Sequence, residues 1–486
     1  MSAEPVNATH AAQSFQLKRV LGPWQLIGLG IGAIIGAGIF SITGTAAAQY
    51  AGPAVLLSFI VAGVGCLFAG LCYAEFAAMI PVSGSAYTYA YASFGRFMGW
   101  VIGWDLVLEY GVAAGTVSVS WSAYFASFMK SIGLPLPSAL SSAPVTFSPE
   151  GALIFTGAII NVPAVAVVVF LSVLLIVGMR LSSGINAAMV LLKVGIIIVV
   201  ILFGLPLINM ANLTPFVPEN TGQFGEFGWT GILRASGVIF FAYIGFDSVS
   251  VAAQETVNPQ RNLPIGILGS LFISTVLYIL MALTMLGLTP YPTLNVANPV
   301  SVAIEAGGSA LAWLQPWVDL AAIIGTSTVI LVSLYGQTRI AYSMARDGLL
   351  PPVFSAIHPR YATPARGTLI TMLLAAFMGG VFPIDVLGEL VSIGTLAAFV
   401  LVCLGVMLLR WTRPNVARPF RTPWVPFVPL AGIFVCGAMM VGLPGDTWIR
   451  LAVWFFIGLV IYALYGSRKN VTPAFSLDAA TKAKPS

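Results

Sequence analysis

GLGIGAIIGAGIF, residues 28–40, is the stretch on which the fold turns. Its Gly28-x-Gly30 and Gly36-x-Gly38 spacings invite a dinucleotide-binding reading. Such a fingerprint follows a strand and opens a helix inside a soluble βαβ unit. Here the glycines stand in the middle of an apolar run from about residue 22 to 47, and no soluble unit surrounds them. Gly28, Gly32 and Gly36 are spaced by four residues, which suits close helix packing in a membrane. Packing does not explain the triplet Gly36-Ala37-Gly38. Small residues in a row cover every side of a helix and weaken it, by about 1 kcal/mol per glycine relative to alanine. The triplet reads as a break in a membrane helix.

The rest of the chain supports the membrane reading. Of 486 residues, 58% are hydrophobic and only 8% charged, against about 25% charged in soluble domains. The mean hydropathy is +0.96. The apolar runs are long enough for helices that cross about 30 Å of hydrocarbon. The pattern predicts an all-α membrane protein with twelve spans, at about 22–47, 53–79, 95–128, 162–179, 182–207, 229–253, 264–288, 315–344, 367–383, 385–410, 426–444 and 448–466. Residues 1–20 and 467–486 are expected to be short cytoplasmic ends flanking one domain, 21–466, and the polar N-terminal residues do not read as a cleavable signal. Cys66, Cys72, Cys403 and Cys436 lie within apolar runs and read as small core residues. His10 and His358 have no partner cluster, so neither a metal nor a cofactor is expected.

Positive charge predicts the orientation. Lys18, Arg19, Arg96, Arg180, Arg261, Arg339, Arg346, Arg360, Arg366, Arg410, Arg413, Arg418, Arg421, Arg468, Lys469, Lys482 and Lys484 fall on one side. Only Lys130, Arg234 and Arg450 fall on the other, with the polar loops at about 132–160 and 209–227. Both termini are therefore expected in the cytoplasm of a cell, with the chain in a bacterial inner membrane. The net charge of +5 serves topology and implies no nucleic acid.

A second interruption lies about 205 residues after the first. GVIFFAYIGFD, residues 237–247, breaks the sixth run with Gly237 and Gly245. Paired interruptions at corresponding places in two halves point to an inverted-repeat transporter with its site at the breaks. Unwound backbone in lipid leaves peptide groups unpaired unless it lines a cavity. Half-helix N-termini offer N–H groups to a carboxylate, and free carbonyls accept from an ammonium. A ligand with both groups close together is an α-amino acid, although another small zwitterion fits the same geometry.

Four segments then carry a resemblance: LGPWQLIGLGIGAIIGAGIFSITG (21–44), GVIFFAYIGFDSVSVAAQETVNPQRNLPIGI (237–267), YGQTRIAYSMARDGLLPPVF (335–354) and RPNVARPFRTPWVP (413–426). With the spacing of the runs, the chain resembles the amino acid–polyamine–organocation (APC) superfamily and its cationic amino acid transporter-like branch. The resemblance implies the LeuT-type fold, with a five-plus-five inverted repeat (about 22–207 and 229–410) and two added helices (about 426–466). It also implies amino acid transport, commonly driven by protons. Carried over residue by residue, it implies that Gly36, Ala37 and Gly38 present N–H groups to the substrate carboxylate. Carbonyls of Ile34, Phe241, Ala242 and Ile244 would face the ammonium. Phe240 or Phe241 would cover the site. Some relatives place a hydroxyl residue where this chain has Ala37. Ser333 matches a serine of the eukaryotic cationic members.

The buried charges complete the sequence reading. Asp105 and Glu109 are four residues apart on one helix face, and Glu109 lies 13 residues from Arg96, roughly 20 Å deep. Glu109 reads either as a proton-linked group or as a structural hydrogen bond; for Asp105 the structural bond is expected. Asp247 is expected to cap the inner half-helix after the second break. Glu75 and Glu255 are expected to pair with arginines near the inner surface. Thr326, Ser327 and Thr328 are expected to bond back to their own helix.

Lys193, 13 residues from Arg180, lies about as deep as Glu109, where an isolated ammonium is costly. The resemblance, whose proton-coupled members place a lysine in this helix, implies a proton-coupling group beside the first break and the helix 315–344, in the place where sodium-driven members of the fold hold a cation. A standing pair with Glu109 is the competing reading. The chain is thus expected to be a proton-coupled amino acid symporter acting by alternating access, and no enzyme, with amino acid, protons and membrane lipids as partners. An amino acid or polyamine exchanger and a non-transporting amino acid sensor are the alternatives.

Overall fold

A computed structural model describes residues 21–79, 85–147, 153–178, 183–247, 249 and 256–468. The expected end segments, Lys18, Arg19, Arg180 and Glu255 lie outside the described residues. The first apolar run forms α1 (Pro23–Ile34), then a π-turn at Gly38–Ile42, α2 (Thr43–Ala46) and a second π-turn at Ala47–Ala51. There follow α3 (Val55–Met79), α4 (Ser85–Phe94), α5 (Arg96–Ser131), α6 (Val162–Val177), α7 (Ser183–Gly204) and α8 (Gly228–Ile239). The second half continues with α9 (Pro259–Leu288), α10 (Pro299–Ala306), α11 (Gln315–Arg346), α12 (Ala365–Val381), α13 (Ile384–Thr412), α14 (Phe427–Gly442) and α15 (Gly445–Leu464). Seven stretches are long and apolar enough to cross a membrane, and four shorter apolar helices accompany them among the described residues. The chain is a helical multi-pass membrane protein.

One departure from an all-α chain is a small antiparallel hairpin, β1 (Val145–Phe147) with β2 (Leu153–Phe155), within the polar loop after α5. The four cysteines are buried and free.

The helices pack in two groups. α1, α3, α8 and α9 form one group, with α9 along both α1 and α3, and α8 against α3. α5, α6, α11 and α12 form the other group, with α5 along α11. Lipid gives helices no hydrophobic reason to associate, so close backbone approach has to supply the contact. Between α5 and α12, an added Cβ on Gly115 would come within 3.0 Å of the Ala375 carbonyl, so only glycine permits that approach. α13 bridges the groups, touching α3, α5 and α8.

Polar links tie the two ends of the assembly. At the N-terminal face, where α1 begins and α3 ends, Arg410 of α13 donates to both oxygens of Glu75, at 3.1 and 2.7 Å. The Thr422 N–H donates to the same carboxylate at 2.7 Å. The arginine pairing expected for Glu75 is present. At the opposite face, the buried Glu389 accepts from Tyr50 at 3.1 Å and from Thr447 at 2.8 Å, with Arg450 at 3.6 Å.

Candidate functional site

The first break is shorter and earlier than the glycine triplet implied. α1 ends at Ile34, and Ile35 is extended at φ −73°, ψ 106°. Ala37 is already helical and Gly38 opens a π-turn. Only the linkage around Ile35 and Gly36 is unwound. Gly38 acts otherwise. A Cβ there would collide with the backbone of Ala242, so glycine lets the two interrupted helices touch. Gly36 sits against Val329 of α11 and Gly32 against Val190 of α7, whereas Gly28 meets nothing. The spacing-by-four reading therefore holds for two of its three glycines.

The second break follows α8. Residues Phe240–Tyr243 tighten into a 3₁₀ turn, Ile244 is extended at ψ 136°, and Gly245 takes φ +111°. That region is closed to residues with a Cβ, and a Cβ on Gly245 would also lie 2.7 Å from the Ala33 carbonyl. Gly237 is no interruption. It lies inside α8, where a side chain would meet the Met439 carbonyl of α14.

The two breaks meet in one cavity of about 490 Å³ of empty space, part of it open to solvent. Ile34, Gly36, Ala37 and Gly38 line it from the first break, and Phe241, Ile244 and Gly245 from the second. α5 contributes Glu109, Tyr110, Ala113 and Val117; α11 contributes Val329, Val332 and Ser333. Most of the wall is aliphatic or aromatic, with Glu109, Tyr110 and Ser333 as its polar side chains. A largely apolar concavity with a few fixed polar groups is the usual form of a small-ligand site.

Two expected site residues are not in the wall. Phe240 is fully buried and packs edge-on against Phe399 of α13, which leaves Phe241 as the ring that faces the cavity. Ala242 is also outside the wall. Its carbonyl and that of Ile34 share the hydroxyl of Tyr278, which donates at 2.8 and 2.9 Å. Tyr278, on α9, thus bridges both breaks and already engages two of the carbonyls expected to face an ammonium. A carbonyl keeps a second lone pair, so Ile34 retains an acceptor site. No sequence signal singled out Tyr278, because one tyrosine in an apolar helix looks like core.

Lys193 of α7 is fully buried. Its ammonium donates to the Gly32 carbonyl, to the Ile35 carbonyl at 2.8 Å and to the Thr328 hydroxyl at 3.4 Å. An ammonium has three donors, and each finds an acceptor on the broken end of α1 or on α11. The lysine stem packs over Gly325 of α11. Lys193 and Glu109 form no ion pair among the described residues, so the standing-pair reading fails.

Glu109 is as buried as Lys193 yet differently placed. A π-turn, Val107–Val112, interrupts α5 and brings Glu109 and Tyr110 to the cavity. Such bulges often mark functional positions. Neither Glu109 oxygen has a hydrogen-bond partner among the described residues, and Asp247 and Asp105 lie within electrostatic range. Asp105 stays outside the wall, near Gly394 of α13, and its expected hydrogen bond to a neighbouring helix is absent among the described residues.

Asp247 accepts from the Tyr110 hydroxyl at 2.7 Å. The half-helix it was expected to cap falls largely outside the described residues. Thr326, Ser327 and Thr328 do bond back to carbonyls of their own helix, at 2.6 to 2.7 Å; Thr328 also serves Lys193.

The Tyr124 hydroxyl donates to the Phe40 carbonyl, and Ser41 shares a 2.5 Å hydrogen bond with Ser120 while donating to the Ala297 carbonyl at 2.5 Å. Residues 34–47 are buried throughout, whereas Gly32 and Ala33 are half-buried. Among the described residues no group of His, Cys, Asp and Glu could hold a metal ion.

Comparison with known proteins places these features in context. A family model described as amino acid permease matches residues 21–464. The branched-chain amino acid permease BcaP of Bacillus subtilis (strain 168) is 44% identical over 93% of this chain and 94% of its own length. The methylthioribose transporter of the same organism is 41% identical over 94% of this chain and 95% of its own. The vacuolar cationic amino acid transporter 4 of Arabidopsis thaliana is 36% identical over 82% of this chain and 64% of its own.

Proposed function

The chain belongs to the amino acid permease family of the APC superfamily, whose members here are transporters and not enzymes, and from that premise we propose a proton-coupled symporter that carries a neutral amino acid into the cell. The observation that carries the reading is the cavity at the junction of the two breaks, with the Lys193 ammonium seated on the broken end of α1. The N–H groups after Gly36 receive the substrate carboxylate, and the Ile34 and Ile244 carbonyls receive its ammonium. Phe241 covers it. The aliphatic wall of Ala113, Val117, Val329 and Val332 takes a branched or linear apolar side chain. The BcaP relative supports this substrate class; the cationic transporters are less similar over a smaller share of their length.

In this reading the fold has twelve membrane helices in a LeuT-type five-plus-five repeat, with about 22–207 and 229–410 as the repeats and 426–466 as the added pair. The two packing groups support it, because each draws helices from corresponding places in both halves. Both termini are cytoplasmic in the cell membrane. The bundle containing α1 and α8 then rocks against the α5–α11 group around a fixed site. Lys193 couples the proton: charged, it holds α1 to α7 and α11; uncharged, it loses part of that hold. Glu109, on the opposite wall, exchanges protons with the cavity.

The test is uptake by the purified protein in liposomes. An inward proton gradient should drive accumulation of leucine, isoleucine or valine without sodium. Arginine and methylthioribose serve as competitors. Displacement of leucine by arginine at equal concentration would move the substrate class to cationic amino acids. Displacement only by methylthioribose would remove amino acids as substrate. Tracer exchange without response to the gradient would make the protein an exchanger.

A further inference from the structure

The segment RWTRPNVARPFR, residues 410–421, holds four arginines and no acidic residue. Three of them, Arg410, Arg418 and Arg421, line a second pocket with Pro414, of about 330 Å³ of empty space and broadly open to solvent. It lies at the N-terminal face, at the end of α13 and in the loop that leads to α14. The carboxylate opposed to them is Glu75, which Arg410 holds through two hydrogen bonds and Arg418 approaches at 3.4 Å. Glu75 also takes the Thr422 N–H, so its oxygens are well occupied. Arg421 is exposed and donates to no protein acceptor among the described residues. Burial works against the charge of Arg418; Glu75 supports it, and Arg410 and Arg421 oppose it. The Nη groups of Arg418 donate to the Pro414, Val416, Leu409 and Arg413 carbonyls, so Arg418 supplies charge and no free Nη–H. Three guanidiniums lining the pocket against one carboxylate leave an excess of positive charge that an anion would neutralise.

The surroundings decide which anion. Trp411, Trp424 and Phe427, on either side of the pocket in sequence, are 83%, 82% and 74% exposed. Tryptophan at helix ends sits at the level of lipid headgroups. Guanidinium forks match phosphate oxygens in pairs, and basic pockets at the cytoplasmic ends of membrane helices receive acidic headgroups. We propose that Arg410 and Arg421 bind the phosphate of an anionic phospholipid in the cytoplasmic leaflet, in the orientation given above, with Arg418 adding positive charge beside them. The headgroup draws on the Arg410 guanidinium, which also holds Glu75. Lipid occupancy is therefore linked to the clamp between α3 and α13.

The experiment measures thermal unfolding of the full chain in a neutral detergent at physiological salt, titrated separately with short-chain phosphatidylglycerol, short-chain phosphatidylcholine and inorganic phosphate. Phosphatidylglycerol should raise the unfolding midpoint, and the other two should not. Arg421→Ala, which removes no hydrogen bond among the described residues, should weaken phosphatidylglycerol binding about fivefold, the weight of one basic residue facing an anionic surface. Arg421→Glu should weaken it further. Equal shifts from phosphatidylglycerol and phosphatidylcholine would overturn the proposal, as would unchanged phosphatidylglycerol affinity in both variants. An equal shift from inorganic phosphate would make the pocket a site for free anions and would overturn the assignment to lipid.

Discussion

Lys193 and Glu109 have opposite charges and similar burial, but the protein treats them differently. Lys193 is met by three acceptors, two of them carbonyls at the broken end of α1. Glu109 faces the cavity and has no hydrogen-bond partner among the described residues. A buried charge with a full set of partners is part of the frame. A buried carboxylate without them is free to bond whatever enters the cavity. The pair thus separates two duties that depth alone does not distinguish: one charge holds a conformation, the other meets the contents of the site.

Stability should break or sharpen that comparison most visibly. Lys193→Ala leaves the Gly32 and Ile35 carbonyls without this donor and a hole beside Gly325, and should cost about 3 kcal/mol. Glu109→Gln removes no protein partner and should cost less than about 1 kcal/mol. Thermal unfolding of both variants in detergent checks the pair. Comparable losses would show that Glu109 is as much a part of the frame as Lys193.

The next effect concerns the two breaks. Gly38→Ala places a methyl group against the Ala242 backbone, which cannot move aside without shifting the second break. A loss of about 2 kcal/mol is expected. At Gly36 the neighbour is the end of a valine side chain, Val329, so Gly36→Ala should cost less stability and mainly raise the KM for substrate. If the two alanine variants behave alike, the division between contact and site at this break is wrong.

Tyr278→Phe should give a smaller loss, about 1 kcal/mol, because a single hydroxyl shared between two carbonyls is removed. Uptake should slow with substrate affinity changed by less than about fivefold. Smallest of all, Ser333→Ala removes one hydroxyl from an apolar wall. It should leave leucine affinity within about a factor of three, at under ~1 kcal/mol. A large loss would mean that Ser333 holds the substrate directly.

What was legible in the sequence followed from the cost of polar groups in lipid. The apolar runs follow the rule that a lipid-facing helix obeys, and the interruption near Gly36, the depth of Lys193 and the arginine partner of Glu75 each break it. Ile34, Gly36, Ala37 and Gly38, with Phe241, Ile244, Ser333 and Glu109, line one cavity. Features that depend on local winding were not legible. The π-turn at Val107–Val112 turns Glu109 and Tyr110 into the cavity without a distinctive residue. Gly38 and Gly237 looked like breaks because a glycine that admits a neighbouring backbone is the same letter as one that unwinds a helix. Phe240 and Phe241 are adjacent on the chain, and only the 3₁₀ turn decides which ring meets the cavity.

The central claim is that the seat of Lys193 on the first break links substrate movement to protons. The most direct measurement is the steady-state ratio of inside to outside leucine in liposomes, taken as the imposed pH difference is varied with the membrane potential clamped to zero. The ratio should rise with the inward proton gradient for the unaltered protein, with no response to sodium. For Lys193→Ala it should stay near one at every gradient while tracer exchange continues. A Lys193→Ala protein that accumulates leucine as the unaltered one does would contradict the account.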